Sequence, residues 1–142
     1  LQIIYESQRL FVPCIDQHDG ILIKTEADSM LILFRSVNKA VQCAIGMQRL
    51  AKAYNQNKPD AEKILLCVGI GYGEMLTIGD HDVFGAEVNA ASKLGEDTAK
   101  SWKILVTDSV VANLNNMPHI TWEEISSIPP GAKQAFKLNY PL

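Results

Sequence analysis

Asn89 and Lys93 stand four positions apart in a segment that starts with an acid, passes a glycine and continues at helical spacing: Asp82-Val83-Phe84-Gly85-Ala86-Glu87-Val88-Asn89-Ala90-Ala91-Ser92-Lys93-Leu94. On a helix that spacing sets both side chains on one face, where an amide and a cation can contact the same anion. An ordinary amphipathic helix with its polar residues in water has the same pattern, and spacing alone does not choose between the two. Lys24 is the second feature. It follows the apolar run Ile21-Leu22-Ile23 and precedes Asp28 by four residues. Burying an ammonium without a partner is costly, so Lys24 reaches solvent, pairs with an acid or serves a ligand. A lysine that keeps an edge strand from pairing with another sheet is the plain alternative. Asp28, for its part, suits a tight turn.

The elements that must position these residues follow from the pattern. Apolar residues at Ile3, Ile4, Leu10, Phe11 and Ile15 predict a helix from Leu1 to about Ile15, with Pro13 disturbing its end. Ile21 to Thr25 and Met30 to Phe34, separated by a short break at Ala27-Asp28, predict a buried hairpin. Val37, Ala40, Val41, Ala44, Ile45, Met47, Leu50, Ala51 and Tyr54 predict a helix from Ser36 to about Gln56, with Ser36 as its N-cap. Ile64 to Tyr72 reads as a strand, turned at Gly73 and paired with a second strand from Met75 to Ile78. A helix from Gly85 to about Leu94 follows, then a short strand Ile104-Leu105-Val106 and a helix capped by Asp108 and running to about Leu114. Strands near His119 to Ile125 and Phe136 to Asn139 close the chain, joined through Pro129-Pro130-Gly131. This order predicts an α+β sandwich, with helices covering a mainly antiparallel sheet.

The bulk numbers bound what such a fold can do. A length of 142 residues fits one domain, 1–142. With 47% hydrophobic and 20% charged residues the chain is ordinary for a soluble fold, and its longest apolar runs are too short to cross a bilayer. A net charge of −3 offers no basic footprint for nucleic acid, and no membrane contact is expected. Cys14, Cys43 and Cys67 are odd in number, widely spaced and in apolar surroundings. That pattern suggests neither a disulfide framework nor a zinc site, and it fits a reducing, cytoplasmic compartment. His81, between Asp80 and Asp82, reads as a solvated loop histidine. Gly69, Gly71 and Gly73 read as strand-packing and turn glycines, since no Gly-Lys-Ser/Thr of a P-loop follows them. The chain opens at Leu1 in what reads as the middle of a helix, as expected of a piece of a longer protein.

Three stretches, taken in order, carry a resemblance. Lys24-Thr25-Glu26-Ala27-Asp28 with Leu31-Ile32-Leu33-Phe34 resembles the Lys-Thr-x-Gly-Asp hairpin of the class III nucleotidyl cyclases. Val68-Gly69-Ile70-Gly71-Tyr72-Gly73 is similar to that family's Val-Gly-Ile-x-x-Gly strand, and Asp82 to Leu94 resembles its Asp-x-x-Gly-x-x-Val-Asn-x-Ala-Ser-Arg-Leu motif. The resemblance implies the family's ferredoxin-like βαββαβ-type sandwich and the cyclisation of a nucleoside triphosphate. The ribose 3′-hydroxyl attacks the α-phosphorus in line and pyrophosphate leaves.

It also implies roles. Asp28 matches one of two aspartates that bind Mg²⁺ or Mn²⁺, two ions being expected in a complete site. Lys24 and Asp82 match the pair that reads adenine, the lysine donating to a ring acceptor and the aspartate accepting from the exocyclic amine, so ATP is expected rather than GTP. Guanylyl members usually carry Glu and Cys there. Asn89 matches the residue that orients the ribose, and Lys93 stands where an arginine stabilises the transition state. The charge is kept and the planar two-pronged donor is not. Lys133 matches a triphosphate-binding lysine through a looser motif. Ala27 replaces a glycine; if its φ is positive the cost is roughly 1 kcal/mol, unless the turn takes another geometry.

The strand carrying the other metal aspartate would precede Leu1. Because the family's site forms between two cyclase domains, the resemblance implies a head-to-tail homodimer, or pairing with another cyclase domain, with regulatory domains elsewhere in the protein. Two other readings stand beside the adenylate cyclase: a non-catalytic cyclase homologue serving as a nucleotide-binding or dimerisation module, and an RNA-binding sheet, disfavoured by the lack of stacking aromatics and the negative charge.

Overall fold

The computed structural model describes residues 2–79, 82–96 and 102–142. The chain divides into two compact units, Leu1–Leu66 with Leu142, and Cys67–Pro141. No described helix is long and apolar enough to cross a membrane.

In the first unit, α1 (Gln2–Gln17) continues past Pro13, two residues beyond the end expected near Ile15. One backbone bond is forfeited at the proline. Phe11 and Cys14, on either side of it, and Ile15 are buried, and that burial outweighs the local cost. The strands β1 (Ile21–Glu26) and β2 (Ser29–Leu33) form an antiparallel hairpin with a two-residue turn at Ala27-Asp28. It is half-buried rather than buried, because β1 and β2 form a sheet of two strands only and Ile21 stays exposed. α2 (Val37–Asn55) begins as expected, with the Lys39 N–H donating to Ser36 Oγ at 3.2 Å. Its buried side chains include Val37, Ala40, Val41, Ala44, Ile45, Met47 and Ala51 of the predicted stripe, together with Cys43, while Leu50 and Tyr54 of that stripe are half-buried.

The strand expected over 64–72 is much shorter, because α2 has claimed its first residues. Asn55 Nδ2 donates to the Ile64 carbonyl at 2.8 Å, and Asn55 Oδ1 accepts from the Ile64 N–H at 2.7 Å. Gln48 Nε2 donates to the Leu66 carbonyl at 3.0 Å. Backbone groups spent on side chains cannot join a ladder.

In the second unit, β3 is therefore only Val68–Ile70. It pairs in parallel with β6 (Ile104–Thr107) and not with the following strand, which corrects the second predicted hairpin. β4 (Leu76–Ile78) instead pairs antiparallel with β5 (Asp82–Phe84). The chain leaves the main sheet after Ile70 because the Tyr72 N–H donates to Glu87 Oε1 (2.9 Å) rather than to a strand. The main sheet has the order β3-β6-β8-β7, with β7 (Thr121–Ile125) and β8 (Ala135–Asn139) antiparallel as expected. β6 is buried along its whole length, as its unbroken apolar run requires.

α3 (Ala86–Gly95) packs on β3 and β6, and α4 (Asp108–Ala112) on β6 and β8. Leu94, Leu105 and Ala135 form a core cluster with Cys67 and Ile125 against it. Asp108 is not the cap of α4. Thr107 holds that position, and the Asp108 carboxylate accepts from the N–H groups of Lys133 (3.0 Å) and Gln134 (3.1 Å).

The four α-helices among the described residues, with their mainly antiparallel strands, make an α+β fold.

Candidate active site

The candidate residues fall on three local frames, the first being the β1–β2 hairpin. The register passes from Leu22 opposite Ile32 to Lys24 opposite Leu31, so Ile23 is an extra residue in β1. Neighbouring positions of a strand face opposite sides, and the bulge therefore turns Lys24 away from the face that Leu22 occupies. Lys24 Nζ lies 3.0 Å from Glu26 Oε1, with the lysine side chain 37% exposed. Asp28 is exposed at the turn, where its carboxylate is open to a ligand. Ala27 beside it has φ 52, in the left-handed region that costs a non-glycine residue about 1–2 kcal/mol. The turn keeps the geometry that a glycine would prefer.

The second frame is β5 running into α3. Asp82 is half-buried at the start of β5, opposite Ile78. Asn89 and Lys93 are exposed on α3, while Ala90 and Leu94 are buried against the sheet. The helical face predicted from their spacing exists. Lys93 Nζ is 3.8 Å from Glu96 Oε2, and both side chains are about two-thirds exposed. An ion pair so open to water is worth about 0–1 kcal/mol, so it holds the Lys93 ammonium only weakly.

What holds α3 in place is a stripe of glycines and one acid. A Cβ on Gly69 would stand 2.1 Å from the Ala91 carbonyl oxygen, and one on Gly71 would stand 2.4 Å from that of Glu87. Helix backbone thus lies directly on strand backbone, the packing role that the sequence suggested for these glycines. Glu87 is a positioning residue that sequence reasoning missed. Its Oε1 accepts from the Thr107 hydroxyl at 2.7 Å and from the Tyr72 N–H at 2.9 Å, which fastens the first turn of α3 to the end of β6 and to the segment that follows β3. The available signal was an acid in the first helical turn, fourteen to eighteen residues after a period-two run of glycines.

The third frame is the segment before β8, where Lys133 is exposed and its backbone is fixed by Asp108. Burial pushes the Asp108 carboxyl upward. The N–H groups of Gln134, Lys133 and Asp108 itself, with the Lys133 charge, outweigh that effect and hold it below its ordinary value.

Lys24 and Asp28 thus share one unit, and Asp82, Asn89, Lys93 and Lys133 the other. His81 lies outside the described residues. Among those described, the group of three potential metal ligands that comes together does not include Asp28; it is Cys14, His18 and Cys43.

The description "Adenylate and Guanylate cyclase catalytic domain" matches residues 1–138. A Rhizobium meliloti (strain 1021) protein named "Putative adenylate cyclase 3" is 32% identical over 98 residues, which is 69% of this chain and 16% of that protein. A Myxococcus xanthus protein named "Serine/threonine-protein kinase pkn2" is 29% identical over 132 residues, 92% of this chain and 15% of that protein. The chain thus spans about a sixth of the length of these curated relatives. Among solved structures, an adenylate/guanylate cyclase/hydrolase from Silicibacter pomeroyi superposes with a TM-score of 0.81 at 24% identity, covering 96% of this chain and 82% of that one.

Proposed function

Because the chain belongs to the adenylate and guanylate cyclase catalytic domain family, we propose that it is the catalytic domain of an adenylate cyclase, converting ATP to 3′,5′-cyclic AMP and pyrophosphate. The observation that carries the choice of base is the pair Lys24 and Asp82. An ammonium can donate to a ring nitrogen of adenine but offers nothing to a ring N–H, and a carboxylate accepts from an exocyclic amine and repels a carbonyl oxygen. Guanine inverts both features. The bulge at Ile23 supports this reading, since it supplies a physical reason for a lysine in an apolar strand to point away from its apolar neighbour.

Each remaining residue has one task. Asn89 orients the ribose so that its 3′-hydroxyl lies in line with the α-phosphorus. Lys93, about 6 Å further along the same helical face, places a cation against the charge that develops on the α-phosphate. Lys133 binds the terminal phosphates that leave. Asp28 fits a hard divalent ion as one exposed carboxylate ligand, and such an ion, when bound, favours ionisation of the 3′-hydroxyl and offsets phosphate charge.

Both units, 1–66 and 67–141, belong to this one domain on our reading, since the family match runs across both. Two copies meeting head to tail would supply two sites, each combining Asp28 of one copy with the nucleotide-binding residues of the other. The β4–β5 ribbon supports an assembly, because Leu76, Ile78 and Phe84 are each at least half exposed on it. The cytosol, where ATP and reduced thiols coexist, is the compartment proposed.

The test is cyclic AMP formation with Mn²⁺ as a function of concentration, in the full-length protein or a chain extended upstream of Leu1. Specific activity rising with concentration supports the reading, and no cyclic AMP at any concentration sinks it. A second reading, a nucleotide-binding or dimerisation module without turnover, is favoured by Lys93 standing where the resemblance expects arginine. Nucleotide binding without product in the same experiment would select it.

A further inference from the structure

We propose that Cys14, His18 and Cys43 form a zinc site that clamps α1 to α2. The sequence pattern gave no hint of it, because the two cysteines are far apart in the chain and the helices must pack before they meet. In the structure Cys14 Sγ and Cys43 Sγ are 4.0 Å apart, and His18 Nδ1 is 3.9 Å from Cys14 Sγ. One donor atom from each of the three residues lies within 4.8 Å of the others. Bond lengths of about 2.3 Å to sulfur and about 2.0 Å to nitrogen, at tetrahedral angles, require separations of roughly 3.8 Å and 3.6 Å. The two sulfurs therefore need only a few tenths of an ångström of adjustment, and the imidazole, with a donor atom within 4.8 Å of both, a movement of about an ångström.

Four further observations fit an ion better than inert core cysteines. Cys14 lies in the last turn of α1 and His18 one residue past its end, so the four-residue spacing places them side by side. The His18 ring is oriented by its Nδ1–H, which donates to the Cys14 carbonyl at 2.8 Å and leaves the lone pair on Nε2, the tautomer control usual for a ligating imidazole. α2 carries a glycine, Gly46, in its interior, where glycine costs helix stability. A Cβ there would stand 3.1 Å from Cys14 Sγ and 3.9 Å from His18 Cε1, so the missing side chain makes the room that the cluster occupies. Cys14 and Cys43 are 5% and 1% exposed while His18 is only half-buried, which gives an ion one way in and a water one open position.

The donor chemistry selects the ion. Two thiolates and a neutral imidazole are soft to borderline ligands, suited to Zn²⁺ and unsuited to the magnesium class. Two thiolates also cancel the charge of one Zn²⁺, so the assembled cluster carries no net charge among the buried side chains. Loading releases the thiol protons to solvent. In the chain, the hairpin with Lys24 and Asp28 lies between the Cys14/His18 pair and Cys43. The clamp therefore closes the loop that holds the candidate base-reading lysine and metal aspartate.

The inference is independent of the cyclase reading and is tested without activity. The purified chain is equilibrated with buffered zinc in millimolar Mg²⁺, dialysed and assayed for metal. About one zinc per chain is expected, resisting magnesium, with an increase in melting temperature over the apo form. Co²⁺ should give a thiolate-to-cobalt charge-transfer band. Cys43→Ser should abolish that band and lower the retained zinc at least about tenfold. His18→Gln should do the same to zinc retention, and this half-buried position keeps the test available if the buried cysteine variant fails to fold. Folded protein that retains no zinc would overturn the proposal. So would undiminished retention in both variants, or retention of copper(I) with exclusion of zinc.

Discussion

Glu87 Oε1 accepts hydrogen bonds from the Thr107 hydroxyl at 2.7 Å and the Tyr72 N–H at 2.9 Å, tying the helix that carries Asn89 and Lys93 to the end of β6 and to the segment that follows β3. Thr107 is fully buried, so removing its acceptor leaves a hydroxyl in apolar surroundings. Glu87→Ala should therefore lower stability by about 1–3 kcal/mol, read from urea unfolding. Glu87→Gln keeps an acceptor oxygen and should recover most of that loss. Equal losses in the two variants would show that the carboxylate charge, rather than the acceptor geometry, matters.

Base choice is tested at Lys24 and Asp82 together. Lys24→Glu with Asp82→Cys should lower kcat/KM for ATP by at least about a hundredfold, taking about 1.5–3 kcal/mol per charge-assisted hydrogen bond, and should raise it for GTP. An unchanged ATP/GTP ratio would remove both residues from the base-reading role.

On the proposed reading, Lys93 offers a flexible ammonium where the resemblance expects a planar, two-pronged donor. Lys93→Arg should raise kcat with little change in KM, and Lys93→Ala should lower kcat by about 10²–10³-fold. Since the Glu96 partner is exposed, neither change should move the melting temperature by more than a degree or two. A kcat insensitive to Lys93→Ala would place the transition-state cation elsewhere.

Ala27 holds φ 52 in the turn that presents Asp28. Ala27→Gly should stabilise the protein by about 0.5–1 kcal/mol, the left-handed strain relieved being partly offset by the greater entropy of the unfolded chain. The melting temperature checks it, and a decrease would mean that the turn is not strained.

Acid sensitivity has a local source at Asp108. Its folded carboxyl lies below the ordinary value of 3.8, because N–H donation from Gln134 and Lys133 outweighs the effect of burial. A depressed carboxyl contributes stability that is present above its unfolded value and is lost as pH falls through the folded one. Asp108→Asn should thus be least stable relative to the wild type at neutral pH and converge with it as pH falls below the ordinary carboxylate range. Urea midpoints at a series of pH values measure this, and parallel curves would exclude Asp108 as a source.

Much of the fold was readable because its signals are local. The stripe of α2 and its Ser36 cap, the Asn89/Lys93 face and the β7–β8 pair all declare themselves within a few residues. The failures have one cause, competition from partners distant in sequence. Ile64 looks like the start of a strand until Asn55 takes both of its backbone groups. Pro13 looks like a helix end until the burial of Phe11 and Ile15 is counted. The bulge at Ile23 depends on register with β2 and has no signature in β1 alone. The Cys14–Cys43 meeting needs both helices folded. The candidate site residues were named through the family resemblance alone, while Glu87, which fastens α3 to the sheet, had no motif to name it.

At Gly69 and Gly71 the obstacle to any side chain is backbone: the Ala91 and Glu87 carbonyl oxygens. A rotamer change cannot clear it, and no second mutation nearby can make space, because backbone atoms occur in every variant. A library randomised at these two positions and screened for folded protein should return glycine alone, whereas the exposed positions 89 and 93 should accept many residues. The half of the site on α3 is thus free to vary in its chemistry while its placement is fixed by side chains that are missing.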